Sequence, residues 1–186
     1  AFIQLIKDGD FDGALAKMRE KNLLPGICGR VCPQEEQCEI KCVLQKRFGA
    51  VAIGRLERFI ADYEIEQNKT VVPPVADTTG KKVAVVGSGP AGMACSDLLN
   101  KWGHSVTLYE KDDAVGGLLR YGIPDFKLNK KVIDRRLDIL VKEGLNIKTN
   151  VHVGHDMRGS ELLKDYDAIC LAVGAMKPRD LPVEGR

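Results

Sequence analysis

Two kinds of hydrophobic pattern follow one another along the chain. Apolar residues recur at helical spacing in four segments, which predict helices at about 2–6, 10–21, 51–66 and 129–143. Short apolar runs predict strands at 83–86, 105–109 and 167–175, and a run of alternating polarity predicts one at 145–150. A further helix should follow the first strand and end near Trp102, because Gly103 is a typical C-cap. Alternating strands and helices predict a parallel sheet with right-handed crossovers.

A polar segment separates the helical first part from the strand-containing remainder. Residues 68–82 include Pro73-Pro74 and Thr78-Thr79-Gly80, which is typical of a linker. We therefore expect an α + α/β protein with two domains. A small helical domain would cover 1–76, and an incomplete Rossmann-like domain with a doubly wound parallel sheet would cover 77–186.

The clearest chemical signal directly follows the first predicted strand. It is the run Gly87-Ser88-Gly89-Pro90-Ala91-Gly92, a G-x-G-x-x-G turn that leads into a helix. The first glycine permits the tight turn, the second lets a pyrophosphate approach the backbone, and the third allows the helix and strand to pack closely. The helix N-terminus offers unpaired N–H groups to the anion, and Pro90 suits the first helical turn. This pattern predicts a dinucleotide site.

An acidic residue ends the second predicted strand. Glu110 lies 23 positions after Gly87, where a carboxylate can accept hydrogen bonds from both hydroxyls of an adenosine ribose. It would repel a 2′-phosphate, which favours FAD or NAD over NADP. The alternative is an acid at a strand end that faces solvent. The later run from Gly116-Gly117 to Pro124 could approach a second phosphate or a flavin ring, or could be a mobile loop.

The six cysteines are unevenly distributed. Cys28, Cys32, Cys38 and Cys42 have the spacing C-x3-C-x5-C-x3-C, with a proline directly after Cys32. A proline after a ligand is familiar from iron–sulfur proteins, whereas paired C-x2-C knuckles, common in structural zinc sites, are absent from this cluster. The spacing favours an iron–sulfur cluster and leaves zinc, disulfides or inert cysteines as alternatives. Cys95 and Cys170 are expected to be buried small apolar residues.

Composition narrows the possible partners. The 186 residues are 44% hydrophobic and 29% charged, with a net charge of +2. This balance predicts neither nucleic acid nor a membrane surface as a partner, and no apolar run approaches the roughly 20 residues of a membrane span. We expect a cytoplasmic protein, in which clustered cysteines more often bind metal than form disulfides.

Several motifs together resemble one protein family. The run from Cys28 to Pro33, with Cys38 and Cys42 and then Ile53-Gly54-Arg55-Leu56-Glu57, resembles the helical iron–sulfur domain of the glutamate synthase small (β) subunit family. The glycine turn, Glu110-Lys111, Gly116-Gly117 and Tyr121-Gly122-Ile123-Pro124 agree with its flavin domain. The segment 33–37 is most similar to the large subunit of NADH-dependent ferredoxin:NADP oxidoreductase. Sulfide dehydrogenase subunits and the amino-terminal half of dihydropyrimidine dehydrogenase are also similar.

The resemblance implies cofactors and their ligands. Cys32 and Cys38 would bind one [4Fe-4S] cluster together with Glu57, Cys42 would bind a second cluster, and Cys28 would not be a ligand. FAD would be bound by the turn 87–92 and by a further set of residues, Glu110, Lys111, Gly117, Leu118, Val153 and Gly174. A further cysteine set upstream and an NAD(P)H site downstream of Arg186 are implied, so we expect a piece of a longer protein. No side chain is assigned as catalytic.

The resemblance also implies a function. The chain would be a subunit of a glutamate synthase small-subunit-like oxidoreductase that moves electrons from NAD(P)H through FAD to iron–sulfur clusters and a larger catalytic or electron-accepting partner. One alternative is an NAD-binding dehydrogenase domain with structural zinc. The other is a docking module without cofactors.

Overall fold

The computed structural model describes residues 1–69, 72–175, 177, 180 and 182–185. Within them the helices are α1 (Phe2–Lys7), α2 (Phe11–Arg19), α3 (Pro25–Val31), α4 (Gln45–Phe48), α5 (Ile53–Glu66), α6 (Pro90–Lys101), α7 (Leu118–Tyr121), α8 (Lys130–Lys142) and α9 (Gly159–Asp165). The strands are β1 (Lys82–Val86), β2 (Ser105–Tyr109), β3 (Asn146–Lys148) and β4 (Ala168–Leu171). No helix of the described residues is long and apolar enough to cross a membrane.

The chain divides into two compact units. The first comprises Ala1–Val75 and Leu118–Gly144, and the second comprises Ala76–Gly117 and Leu145–Arg186. Residues 118–144, which the sequence assigns to the Rossmann-like domain, therefore group with the first unit by their contacts.

The first unit has its core between α2 and α5. The core side chains Ala14, Leu15, Met18 and Ile60 are all buried. At its edge, the Phe11 ring makes edge-on contacts with the rings of Phe59 and Tyr63. These contacts explain why α2 and α5 are stable, since helices in proteins gain most of their stability from tertiary packing.

Glycines let α3 pack closely against α5. A Cβ added at Gly29 would lie 2.7 Å from the backbone nitrogen of Arg58. A Cβ added at Gly54 would lie 1.8 Å from side-chain atoms of Gln34. The Gly29 contact is with backbone and therefore requires glycine, so the start of the cysteine segment in α3 is held directly against α5.

Helix α8 begins where the sequence predicts. Asn129 is the N-cap, and its side-chain oxygen accepts a hydrogen bond of 2.9 Å from the backbone N–H of Lys131. The apolar stripe of α8 includes the buried residues Ile133, Ile139 and Leu140.

Loss of this cap gives a first testable prediction. We expect Asn129→Ala to destabilise the first unit by about 1 kcal/mol, because the N–H of Lys131 loses its partner. In the whole protein this should lower the thermal midpoint by about 2–4 °C. Calorimetry checks it, with Lys131→Ala as the control, since that side chain is exposed and leaves the cap intact. Equal melting of Asn129→Ala and wild type would contradict a stabilising cap.

The second unit contains a parallel sheet of order β3-β2-β1-β4, as expected for a Rossmann-like domain. β1 is central, pairing Val83 with Val106 on one side and with Ala168 on the other. Its residues 83–86 are all buried, which explains why this strand reads as a continuous apolar run. The carboxyl ends of these parallel strands share one edge of the sheet.

Candidate functional site

Two glycines of the turn after β1 are required by the protein's own packing. Gly87 has φ +97°, and a Cβ there would lie 2.4 Å from the carbonyl oxygen of Ala172. A Cβ at Gly92 would lie 1.8 Å from the carbonyl oxygen of Gly87. The turn therefore lies too close to the backbone of Ala172, and α6 too close to the turn, for a side chain at either glycine.

Gly89 differs from these two glycines. Its φ is −62°, and a Cβ added there would meet no heavy atom within 4 Å. The packing of the chain does not require a glycine at this position. Gly89 is also the N-cap of α6, and its helix terminus has no side-chain cap. Open space in front of N–H donors is what a pyrophosphate needs, so this end of α6 fits a dinucleotide.

Glu110 links the end of β2 to the glycine turn. Its side chain is buried, and one carboxylate oxygen accepts a hydrogen bond of 3.0 Å from the backbone N–H of Ser88 as well as one from the Ser88 hydroxyl. The other oxygen accepts a bond of 2.9 Å from the N–H of Asp112. The alternative of an acid facing solvent is therefore wrong. A carboxylate has about four acceptor positions, so the described bonds leave one for a ligand and not the two that both ribose hydroxyls would need.

Ser88 extends this network to the loop at residues 116–117. Its hydroxyl oxygen accepts a hydrogen bond of 3.1 Å from the backbone N–H of Gly116. A Cβ at Gly117, where φ is +51°, would lie 3.0 Å from the Cα of Gly89. The loop thus lies against the turn. The sequence predicts Ser88 at the cofactor, but not that its hydroxyl connects Glu110 to Gly116. The only sequence signal for this connection is a hydroxyl residue directly after the first glycine.

The remaining residues assigned to FAD are less directly connected to the turn. Lys111 is exposed and pairs with Asp112, Gly174 has φ +70° just after β4, and Leu118 is an exposed residue at the start of α7. Val153 packs on the apolar cluster that contains Val86 and therefore directs its side chain into the core. The positions of Lys111 and Gly174 at the carboxyl edge of the sheet follow from the topology.

The cysteine segment follows and partly overlaps α3. Cys28 lies within the helix, Cys32 is its C-cap in extended conformation, and Cys38 and Cys42 lie in the segment before α4. All are free thiols, and Cys38 is exposed. The backbone N–H of Val51 donates to the Cys42 sulfur at 3.5 Å, which contributes most to holding the pKa of that thiol below its usual value.

The environment of Cys28 differs from that of Cys42. Burial, with the neighbouring Cys32 and Glu57, raises the pKa of Cys28 to about 12. Burial likewise raises the pKa of Glu57, and a hydrogen bond with Asn22 opposes that shift. Asn22 is fixed in turn by the N–H of Leu24, which donates to its side-chain oxygen at 3.1 Å. Sequence reasoning missed Asn22, although an Asn three residues before the start of α3 is a usual turn former.

The metal ligands that the sequence predicts are not assembled into a metal site within the described residues. Within the described ranges, no three His, Cys, Asp or Glu side chains are placed together as a metal site. The donor chemistry of Cys32, Cys38 and Glu57 suits one iron–sulfur cluster, with Cys42 on a second cluster as the resemblance implies. The described structure does not bring three of these side chains together.

Two family models match the chain. Residues 1–69 match dihydropyrimidine dehydrogenase domain II, which carries a 4Fe-4S cluster. Residues 85–155 match the NAD(P)-binding Rossmann-like domain. The predicted fold class, a helical iron–sulfur domain followed by a Rossmann-like domain, is confirmed.

Curated relatives match nearly the whole chain. The glutamate synthase [NADPH] small chain of Escherichia coli is 43% identical over 93% of this chain, and that of Bacillus subtilis is 45% identical over 98%. The glutamate synthase [NADH] of Schizosaccharomyces pombe is 46% identical over 93%. The chain spans 37% of the E. coli protein, 36% of the B. subtilis protein and 8% of the S. pombe protein.

Proposed function

We propose that this chain holds FAD in an oxidoreductase that draws electrons from NAD(P)H and delivers them to [4Fe-4S] clusters. At least 93% of the chain aligns with the glutamate synthase small chains of E. coli and B. subtilis. The resemblance predicted for the family is confirmed by these relatives. The activity of the whole protein is carried over from them as part of the proposal.

One observation carries the assignment of a dinucleotide to the second unit. The turn combines an open position at Gly89, an α6 N-terminus without a side-chain cap, and the buried carboxylate of Glu110 at the end of the adjacent strand. Gly89 leaves room for a pyrophosphate, and Glu110 keeps one acceptor position for a ribose hydroxyl. Bound there, FAD would supply the chemistry that converts a two-electron hydride transfer into single-electron steps.

The role of the protein at this site is to bind and orient. The N–H groups at the start of α6 stabilise the negative charge of the pyrophosphate. Glu110 repels a 2′-phosphate, which favours FAD over NADP at this turn. Ser88 and Gly116 hold Glu110 and the loop in place through the hydrogen bonds described above.

We further propose Cys32, Cys38, Cys42 and Glu57 as cluster ligands, with Cys28 excluded. The match of residues 1–69 to a cluster-bearing domain supports this set. The N–H of Val51, which donates to the Cys42 sulfur, lowers the pKa of that thiol and so favours the thiolate that metals require.

The partners and the domain boundary also belong to the proposal. A nicotinamide nucleotide and a larger electron-accepting subunit are inferred from the names of the relatives. A cytoplasmic location also belongs to the proposal. The proposed boundary at residues 76–77 lies one residue from the division of the compact units between Val75 and Ala76.

The test uses the whole protein, purified without oxygen. We expect absorbance bands of flavin together with iron and sulfide. Zinc without iron would favour a dehydrogenase domain with structural zinc, and the absence of both flavin and iron would favour a docking module. Either result would contradict the proposal.

A matched pair of variants tests the ligand set. Glu57→Ala should lose the electron paramagnetic resonance signal of one reduced cluster and the corresponding iron, because an oxygen ligand of that cluster is removed. Glu66→Ala, on the same helix but exposed, should retain both. Unchanged iron content and an unchanged spectrum in Glu57→Ala would exclude Glu57 as a ligand.

A further inference from the structure

The second unit contains a pair of thiols that the proposed function does not use. Cys95 on α6 and Cys170 on β4 are half-buried, and their sulfur atoms lie 3.5 Å apart although the residues are 75 positions apart in sequence. The expectation that both are buried small apolar residues is met only in part, because each side chain is partly exposed. The two thiols contact each other.

The register of α6 against β4 explains this contact. A Cβ at Gly92 would lie 3.5 Å from the Cβ of Ala172, so the helix and the strand end approach closely there. Cys95 lies three residues further along α6 and so shares the face of Gly92. Cys170 lies two residues before Ala172 and so shares its side of the extended chain. The close approach that Gly92 permits thus places the two sulfurs opposite each other.

The two thiols differ in their surroundings. Burial, with the adjacent Cys170, raises the pKa of Cys95 to about 11, which keeps it protonated at neutral pH. Cys170 lines an open groove at the surface of the second unit, together with Lys81, His104 and Asp167. Because Cys170 is also only partly buried, this groove is the route by which a small molecule would approach it.

We propose that Cys95 and Cys170 form a reversible intramolecular disulfide, with a low-molecular-weight disulfide as the oxidant. The Cys170 thiolate attacks the small disulfide, forms a mixed disulfide and releases one small thiol. The Cys95 sulfur, after losing its proton, then attacks the Cys170 sulfur and releases the second small thiol. Overall the two cysteines lose two protons and two electrons, and the small disulfide is reduced to two thiols.

The geometry is close to that of the product. A disulfide has an S–S length of about 2.05 Å, so the sulfurs must approach by roughly 1.5 Å, and rotation of the two side chains contributes to that movement. The bond would tie α6 to β4 one helical turn beyond Gly92. The oxidised protein would therefore have a covalent link directly behind the proposed phosphate-binding turn.

The test maps the bond in the whole protein after anaerobic incubation with oxidised glutathione. Remaining thiols are alkylated in denaturant, and the protein is digested with trypsin without reduction. Trypsin yields one peptide from Val83 to Lys101 and another from Asp165 to Arg179, and each contains one cysteine of the pair. We expect these peptides to be cross-linked after oxidation and to be separate again after treatment with excess reduced glutathione.

Two variants check the order of the steps. Cys95→Ser should stop at the mixed disulfide, so the 165–179 peptide should carry glutathione. Cys170→Ser should give no cross-linked 83–101 peptide. If wild type under full oxidation shows no cross-linked peptide, with both cysteines alkylated or separately bound to glutathione, the proposal is overturned. This result does not depend on the folding of any variant or on the cofactors.

Discussion

Gly92→Ala is expected to prevent the second unit from folding to its native state. The added Cβ would lie 1.8 Å from the carbonyl oxygen of Gly87 and 2.9 Å from its carbonyl carbon. Both are backbone atoms, so no side-chain rotation relieves the clash. Gly87 itself cannot retreat, because it is held between β1 and the backbone of Ala172. The helix must therefore move away from the sheet.

The expected cost exceeds the usual effect of overpacking. An extra methylene group in a well-packed core costs about 1–3 kcal/mol when side chains can adjust, and here they cannot. A typical domain has only about 5–15 kcal/mol of stability. We therefore expect a large fall in the thermal midpoint of the whole protein, rapid proteolysis within the second unit, and no retained flavin.

Gly89→Ala is the matched control, because it adds the same methyl group three residues before Gly92. Its Cβ would meet no heavy atom within 4 Å, and its φ of −62° suits alanine. Stability should stay close to that of the wild type, because the entropy gained on replacing glycine is opposed by the poorer N-cap propensity of alanine. Flavin should still be lost, because the methyl group fills the space in front of the helix N-terminus. Normal melting of Gly92→Ala, or full flavin content in Gly89→Ala, would contradict these assignments.

Glu110→Gln is expected to weaken both the turn and flavin binding. The carboxylate accepts hydrogen bonds on both oxygens, from Ser88 and from the N–H of Asp112. Glutamine can accept on only one side, so its NH2 group would face one of these donors. A buried donor without a partner costs about 1–3 kcal/mol. We expect a loss of stability of this size, seen as a lower midpoint in chemical denaturation.

The effect on cofactor binding should be of similar size in free energy. A hydrogen bond to a charged acceptor contributes about 1.5–3 kcal/mol, which corresponds to a rise of roughly 10- to 150-fold in the dissociation constant of FAD. Titration of the apoprotein with FAD measures it. Asp112→Asn is the control, since it removes a carboxylate from the same loop while its backbone N–H remains. Wild-type affinity in Glu110→Gln would exclude Glu110 as a ribose ligand.

Much of the secondary structure could be predicted because its signals are local. The run Val83–Val86, the polar break before it and the glycines after it are enough to predict β1, the turn and α6. Asn129 likewise predicts the start of α8. Helix α9 was missed because its stripe is short, with Leu162 as its one buried residue. Helix α3 was missed because its cysteines and glycines have low helix propensity, and packing against α5 outweighs that cost.

Contacts between distant residues could not be predicted in the same way. The glycine pattern does not distinguish Gly92 from Gly89. The backbone of Gly87 leaves no room for a side chain at Gly92, whereas Gly89 faces open space. The spacing of the cysteines does not reveal that the described structure leaves them ungathered. Nor does it indicate that Cys95 meets Cys170 across 75 positions.

The sequence by itself determined the kind of protein: a helical cysteine-bearing part, a parallel sheet, and a dinucleotide turn with its acid. Periodicity, glycine chemistry and motif spacing are properties of neighbouring residues, so they can be read along the chain. The tertiary structure alone decided which residues of these parts contact one another. It buried Glu110 against Ser88, left Gly89 open, and brought Cys95 to Cys170, because each of these depends on which backbone segments approach one another and at what distance.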